Sequence, residues 1–320
     1  MSELGLNQSM EVICYFDEGP GAENIKLIVE KVVLNEALSV GLDPRKIEKV
    51  GISSSENYSH AMPDLFGDIA YTQNAEHVVA GKAVSFQSES DGLKHRLMLG
   101  DFVVNGLIST QIQAEKTEEQ LYLERSTLHI LSHELGHCKD HELRPSSLDL
   151  SGLPNFPEGF DLNLFNDYYY PILLSEFAAC FHGRSYTHRD QIDDQVKADQ
   201  ESLGAKLAVI DSIKDAQGDG FIADVAFHSS QGIWLYLIQY TKIWTSKLGT
   251  QWEEDTIPAL YPIPYDHELI NEFLSELTDK YPADLDFLDG MSEIWEDLSS
   301  AMGYRFRHES LGWSCRWRTI

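Results

Sequence analysis

Apolar residues recur at two different periods along this chain, and the balance between them shifts past the middle. MEVICYF (10–16) reads as a strand, and ENIKLIVEKVVLNEALSVG (23–41) reads as a helix. In the latter, Ile25, Ile28, Val32, Leu34 and Leu38 recur at helical spacing, and Gly41 stands where a helix-ending glycine belongs. KIEKVGISSS (46–55), HVVAGKAVSFQS (77–88) and KHRLMLGDFVVNGLI (94–108) read as further strands, the last interrupted at Gly100-Asp101 by a bend or hairpin. Thr117 with Gln120 fits a capping box, and Pro145 should end the following helix near Arg144. Residues 145–165 are rich in Pro, Gly, Ser and Asp and read as an irregular loop. Pro171 suits the first turn of a helix that runs to about His182, with Gly183 as its stop. From about residue 187 onward no strand pattern is visible. Four helix-like segments follow, and Pro258, Pro262 and Pro264 mark the best internal joint. The expectation is an α+β protein: a mixed sheet and helix part over 1–185, then a mostly helical part over 186–320.

Charge narrows the partners. Among 320 residues, 52 are acidic and 24 basic, a formal net charge of −28, so the field repels phosphate backbones and argues against nucleic acid. The N-terminal stretch lacks the basic and apolar blocks of a secretory signal. No apolar run is long enough to predict a membrane span, and the most apolar window, IWLYLIQYTKIW (233–244), reads as a core helix or subunit interface. The cysteines Cys14, Cys138, Cys180 and Cys315 are scattered, as reduced thiols in a cytoplasmic protein would be.

The candidate chemistry lies in HILSHELGHCKDHELRP (129–145). His133 and His137 are four apart on a helix, so both imidazoles lie one turn apart on one face and can reach one zinc. Glu134 is rotated off that face and is placed to take a proton from a metal-bound water. A third protein ligand is needed. His141 is eight residues from His133, about 12 Å along a continuous helix, too far for one metal. Glu176, in PILLSEFAACFHG, is the better candidate, because a carboxylate among Ile172, Leu173, Ala179 and Cys180 needs a positive partner. A metal would serve, and so would an arginine such as Arg184. A His₂Glu set also accepts Mn, Fe or Co.

HELGH followed by a helix carrying Glu176 and Ala179 resembles the gluzincin type of zinc metallopeptidase, most of all the cytoplasmic ImmA/IrrE-type peptidases. The resemblance spans roughly residues 80–183. It implies a zincin-like fold for the first part, one zinc on His133, His137 and Glu176, and Glu134 as general base. It further implies a protein or peptide substrate, with a regulatory protein such as a repressor as target, bound along a sheet edge; KHRLMLGDF is the expected edge. Where thermolysin-like relatives carry an aspartate four after the ligand glutamate, this chain has Cys180, so the partner of a ligand histidine must come from elsewhere, with Asp140 one choice.

Hydrolysis at such a centre also needs a donor for the developing oxyanion, and His182 and Tyr169 rank first among Tyr168, Tyr169, Tyr170, His182 and Tyr186. The main expectation is a zinc metalloendopeptidase whose helical part recognises substrate or regulates access. Two alternatives stand beside it: a zinc hydrolase acting on another bond, and a regulatory or binding protein with a structural or inactive metal site. Cys138 and Cys180 read as small buried hydrophobes. Arg305, Arg307, Arg316 and Arg318 lie among aromatics in the tail, suited to an acidic partner or to the protein's own acidic surface.

Overall fold

The computed structural model describes residues 10–16, 19, 21–67, 80–111, 115–144, 162–188, parts of 190–212, and 222–249, 268–282, 291–301, 304–309 and 312–317. The chain divides into two compact units, Met1–Ser151 with Ala178–His188 and Gly152–Phe177 with Arg189–Ile320.

The first unit is built on a four-stranded mixed sheet. Strands β1 (Glu11–Cys14), β2 (Ile47–Ser53), β3 (Gly81–Ser88) and β4 (Gly92–Gly100) lie in the order β1-β2-β4-β3. β1, β2 and β4 are parallel, while β3 pairs antiparallel to β4. Helix α1 (Ala22–Ser39) connects β1 to β2, as a parallel pair requires. Gly41, at φ +74°, takes the left-handed turn that ends α1, as expected from its position. Alternation along β4 feeds two separate cores. Leu97 and Leu99 join Val29, Val33, Val50, Ile52, Leu107, Leu131 and Leu135, whereas Met98 joins Tyr58, Met62, Leu65, Phe66 and Val84. The first cluster is covered by α1, α3 (Asp101–Thr110) and α4 (Glu118–Leu143), and the second by α2 (Tyr58–Phe66).

Several expectations need correction. DFVVNGLI continues not as a strand but as helix α3, with Gly100 at its N-cap and the Asp101 carboxylate, in the first turn, favoured by the helix dipole. Its Val103, Val104 and Leu107 face the core at helical spacing, so burial overrides the strand preference of the valines. β4 is interior, and β3 is the sheet edge, so KHRLMLGDF does not supply the edge. Helix α2 was not anticipated. It is short and contains Pro63, and only Tyr58, Ala61, Met62, Leu65 and Phe66 packing on the sheet reveal its face.

Helix α4 begins as read. The Thr117 hydroxyl accepts the Gln120 N–H at 3.2 Å, and the Gln120 side chain accepts the Thr117 N–H at 3.0 Å. It ends at Leu143, where the buried Arg144 guanidinium pairs with the buried Asp140 carboxylate (Nε to Oδ1 2.7 Å). Helix α5 (Leu162–Gly183) starts about two and a half turns before Pro171, which therefore sits inside the helix rather than in its first turn. The loop expected over 145–165 lies partly in α5 and otherwise outside the described residues.

The second unit contains the first part of α5, helices α6 (Ile222–Gly249), α7 (Glu268–Lys280) and α8 (Met291–Ala301), and a two-stranded hairpin of β5 (Tyr304–Glu309) and β6 (Gly312–Trp317). The hairpin corrects the all-helical expectation for this part. Its antiparallel register pairs Tyr304 with Trp317, Arg305 with Arg316 and Phe306 with Cys315, and in the sequence of β5 aromatic residues alternate with arginines. Alternation of that kind is a strand pattern, concealed at the sequence level by its shortness. Trp234, Tyr236, Leu237, Tyr240 and Ile243 bury one side of α6, and Tyr240 donates to Asn271 of α7 at 2.8 Å. The proline joint at 258–264 lies outside the described residues. Among the described residues no helix is long and apolar enough to cross a membrane. The architecture is α+β: a small mixed sheet with flanking helices, then a largely helical region.

Candidate metal centre

Two helices supply the chemistry. On α4, four-residue spacing stacks the His133 and His137 rings edge to face, with centroids 4.8 Å apart and planes at 88°. On α5, Ala179, Cys180, His182 and Gly183 lie against the same stretch of α4. A Cβ on Gly136 would fall 2.8 Å from the Ala179 Cα and 3.2 Å from the His182 Cβ, and one on Gly183 would fall 3.3 Å from the His133 backbone nitrogen. Such close approach requires glycine on each helix at the crossing. Glu176 lies one turn before this contact on the continuous α5 helix.

His133, His137 and Glu176 form a cluster able to hold a metal ion, with one ligand atom from each and all three atoms within 4.8 Å of one another. Tetrahedral coordination at the usual bond lengths spaces ligand atoms about 3.5 Å apart, so small rotations would close the set. Two imidazoles and one carboxylate suit zinc and its neighbours, and three protein ligands leave a fourth position for water. Among the described residues it is the only group of three or more such side chains with this geometry, and His141 is outside it.

The surroundings orient these ligands. Cys180 Sγ lies 3.6 Å from His133 Nδ1, in the position where a carboxylate or carbonyl often steadies a metal-binding imidazole. The thiol thus fills the place that the sequence left open. The Asp140 carboxylate is engaged by Arg144, its Oδ1 accepting from Nε at 2.7 Å. Arg184 does not neutralise Glu176 in the manner expected. Its guanidinium lies over the Phe181 ring at 3.7 Å, and the ion pair to Glu176 comes from Lys242 of α6, at 3.1 Å.

Glu134 is fixed by the sheet edge. Ladder bonds to β4 use alternate residues of β3, with Gly100 donating to the Ala80 carbonyl, so Gly81, Ala83, Ser85 and Gln87 turn their backbone groups outward. The outward Ala83 N–H donates to Glu134 Oε2 at 2.8 Å. Gly81 makes room for this, since a Cβ there would lie 3.0 Å from Glu134 Cγ. The buried Tyr58 hydroxyl has no hydrogen-bond partner among the described residues, and burial together with the Glu134 charge pushes its pKa up. Sequence reading missed Tyr58 and Lys242, because neither is near the motif in the chain. Of the donors it named, Tyr169 stacks on Trp234 (5.5 Å, 8°), and His182 is packed against Gly136.

Three histidines of the first unit are held uncharged. Burial is the largest cause for each, lowering His95 to about 3 and His141 and His182 to about 4. Above pH ~6.5 these rings are neutral folded and unfolded, so stability is undiminished. As pH falls below that, the unfolded rings take up protons that the folded rings refuse, and stability drops until the folded values are reached. Urea unfolding of the metal-free protein should therefore weaken from pH 6.5 towards 4 by at most about 1.4 kcal/mol per pH unit per ring. His95→Gln should make that slope shallower, since His95 is fully buried with Nδ1 2.8 Å from the Ser85 hydroxyl. An unchanged slope would remove His95 from this explanation.

The geometry also corrects the resemblance on which the peptidase expectation leaned. The ligand set is dispersed over two helices rather than contained in the HELGH stretch, so that stretch does not by itself make the chain a gluzincin. Membership of the ImmA/IrrE-type peptidases is withdrawn, with the motif-based class assignment, because no protein-family model, no curated protein and no solved structure matches this chain.

Proposed function

We propose that this protein is a metal-dependent hydrolase in which His133, His137 and Glu176 hold one divalent cation, zinc foremost, and Glu134 is the general base. The observation that carries this reading is the three-ligand cluster with a further carboxylate, Glu134, on the same helix and anchored to the adjacent strand. A closed structural site uses four protein ligands, whereas three leave a place for water and substrate. When bound, the metal lowers the pKa of that water and polarises the bond to be cut.

The chain's own groups do the rest. The Ala83 N–H donates to one oxygen of Glu134 and restricts the rotation of the carboxylate, which would accept a proton from the water and return it to the leaving group. His182, neutral by burial, can donate through one ring nitrogen to a developing oxyanion. Tyr58, packed in the cluster on the other face of the sheet, is close enough to feel the Glu134 charge.

A peptide bond is the narrower reading of substrate, and one observation favours it. Among the described residues β3 is an edge of the sheet and carries Glu134's anchor, so an extended chain pairing with Gly81, Ser85 and Gln87 would run beside the base. In this reading the helical region selects substrate, and the acidic surface favours basic or unfolded segments.

The test compares zinc-loaded wild type with Glu134→Gln on p-nitrophenyl acetate and on unfolded casein. Both proteins should hold about one zinc, while the variant hydrolyses at least about 100-fold more slowly, the low end of general-base contributions. Cleavage of casein supports the peptidase reading, and ester turnover alone supports another bond. Equal rates in the two proteins would exclude Glu134 as the base.

A further inference from the structure

Glu176 has two suitors. It is one of three side chains able to hold a metal, and its Oε2 is also 3.1 Å from the Lys242 ammonium. A cation that binds Glu176 must do so beside a fixed positive charge. The carboxylate and the ammonium are both largely shielded, with side-chain exposures of 21% and 34%, so the repulsion is screened less than it would be in open water.

Both partners stand on packed helices. Glu176 is carried on α5 between Leu173, Leu174, Phe177 and Ala178, all at most 1% exposed. Lys242 is carried on α6 between Thr241, Ile243 and Thr245, likewise at most 1% exposed. The backbones beneath the ion pair are therefore held by packing that does not involve the lysine's charge. Removing the charge should leave the ligand in place and abolish the opposition.

We propose that Lys242 sets the metal affinity of the His133–His137–Glu176 cluster, neutralising Glu176 in the metal-free protein and opposing the incoming cation. This rests on the reading of that cluster as a metal site. It gives α6 a role in metal loading: whatever shifts Lys242 from Glu176 raises affinity, and whatever presses it closer lowers it. Lys242 thus acts through its charge beside Glu176 and not as a ligand.

The experiment measures zinc affinity of the full chain by competition with a chromophoric chelator. Lys242→Gln and Lys242→Met should each bind zinc about tenfold more tightly than wild type, and Lys242→Arg should stay close to it. Lys247→Gln removes the same charge elsewhere on α6 and should change little. In a Glu176→Gln background, Lys242→Gln should lose most of its effect, because the two substitutions act on one interaction. Two variants guard against one that fails to fold. Unchanged or weaker zinc binding in both folded variants would overturn the role of Lys242 while leaving the metal site standing. Tightening that persists equally in the Glu176→Gln background or in Lys247→Gln would also overturn it, as an effect of net charge alone. Failure of the wild type to bind zinc would overturn the metal site itself, and this inference with it.

Discussion

Gly136→Ala is expected to loosen the first unit and cost metal binding at the same time. Its new methyl would meet the Ala179 Cα at 2.8 Å and the Ala179 carbonyl oxygen at 3.0 Å, both backbone atoms that no side-chain rotation can move. The helices α4 and α5 must part. Overpacking of this kind costs about 1–3 kcal/mol, and the gain in helix propensity from alanine returns about 1 kcal/mol of it. The larger consequence is geometric. His133 and His137 flank Gly136 on one helix, and Glu176 is one turn along the other, so separating the helices widens a ligand set that already reaches 4.8 Å. Zinc affinity should fall by about 10–100-fold, the scale of changes that disturb ligand orientation. Chemical denaturation and chelator competition on the same preparation would check both parts. A variant that loses stability but keeps wild-type affinity would show that the crossing does not set the ligand geometry.

Glu176→Ala should have the greatest effect on metal. It deletes one of three ligands and leaves the Lys242 ammonium without the carboxylate that it now pairs with. Two imidazoles then face a divalent cation with the Lys242 ammonium nearby. The loss should exceed the ~100-fold of an orientation change, so stoichiometry after dialysis should fall from about one zinc to nearly none. His133→Ala should behave alike, while His141→Ala should keep its zinc, since His141 is outside the cluster. Retention of one zinc in Glu176→Ala would remove α5 from the site. Because the Glu176–Lys242 pair is only partly buried, folding stability of the metal-free variant should change much less than its affinity.

Much of this site could be read from the chain because its local part is periodic. Four-residue spacing on a helix decides that His133 and His137 share a face, and the capping box at Thr117 and Gln120 sets where that helix begins. Glu176 was legible for a different reason: a carboxylate among apolar neighbours implies a compensating charge, although the implication leaves the identity of that charge open. The sequence pointed to an arginine or a metal, and the ion pair is made by Lys242, 66 residues downstream. No spacing rule joins residues that distant. The orienting partner of His133 was hidden in the same way, since a cysteine at position 180 reads as a small hydrophobe until its sulfur is seen 3.6 Å from the ring.

The fold divides along the same line. Alternation and helical period determined by themselves that a mixed sheet with β1, α1, β2, β3 and β4 comes first and that helices dominate afterwards. Tertiary structure decided what the periods leave ambiguous. It made DFVVNGLI a helix by burying Val103, Val104 and Leu107 beneath α4, and gave α2 its place by packing Tyr58 and Phe66 on the sheet. It also set the strand order that leaves β3, not β4, at the edge beside Glu134. Periodicity is a property of one segment and its single buried face, whereas strand order, helix crossings and charge pairing are properties of two segments at once. The first was written in the residues; the second arose only when those faces found each other.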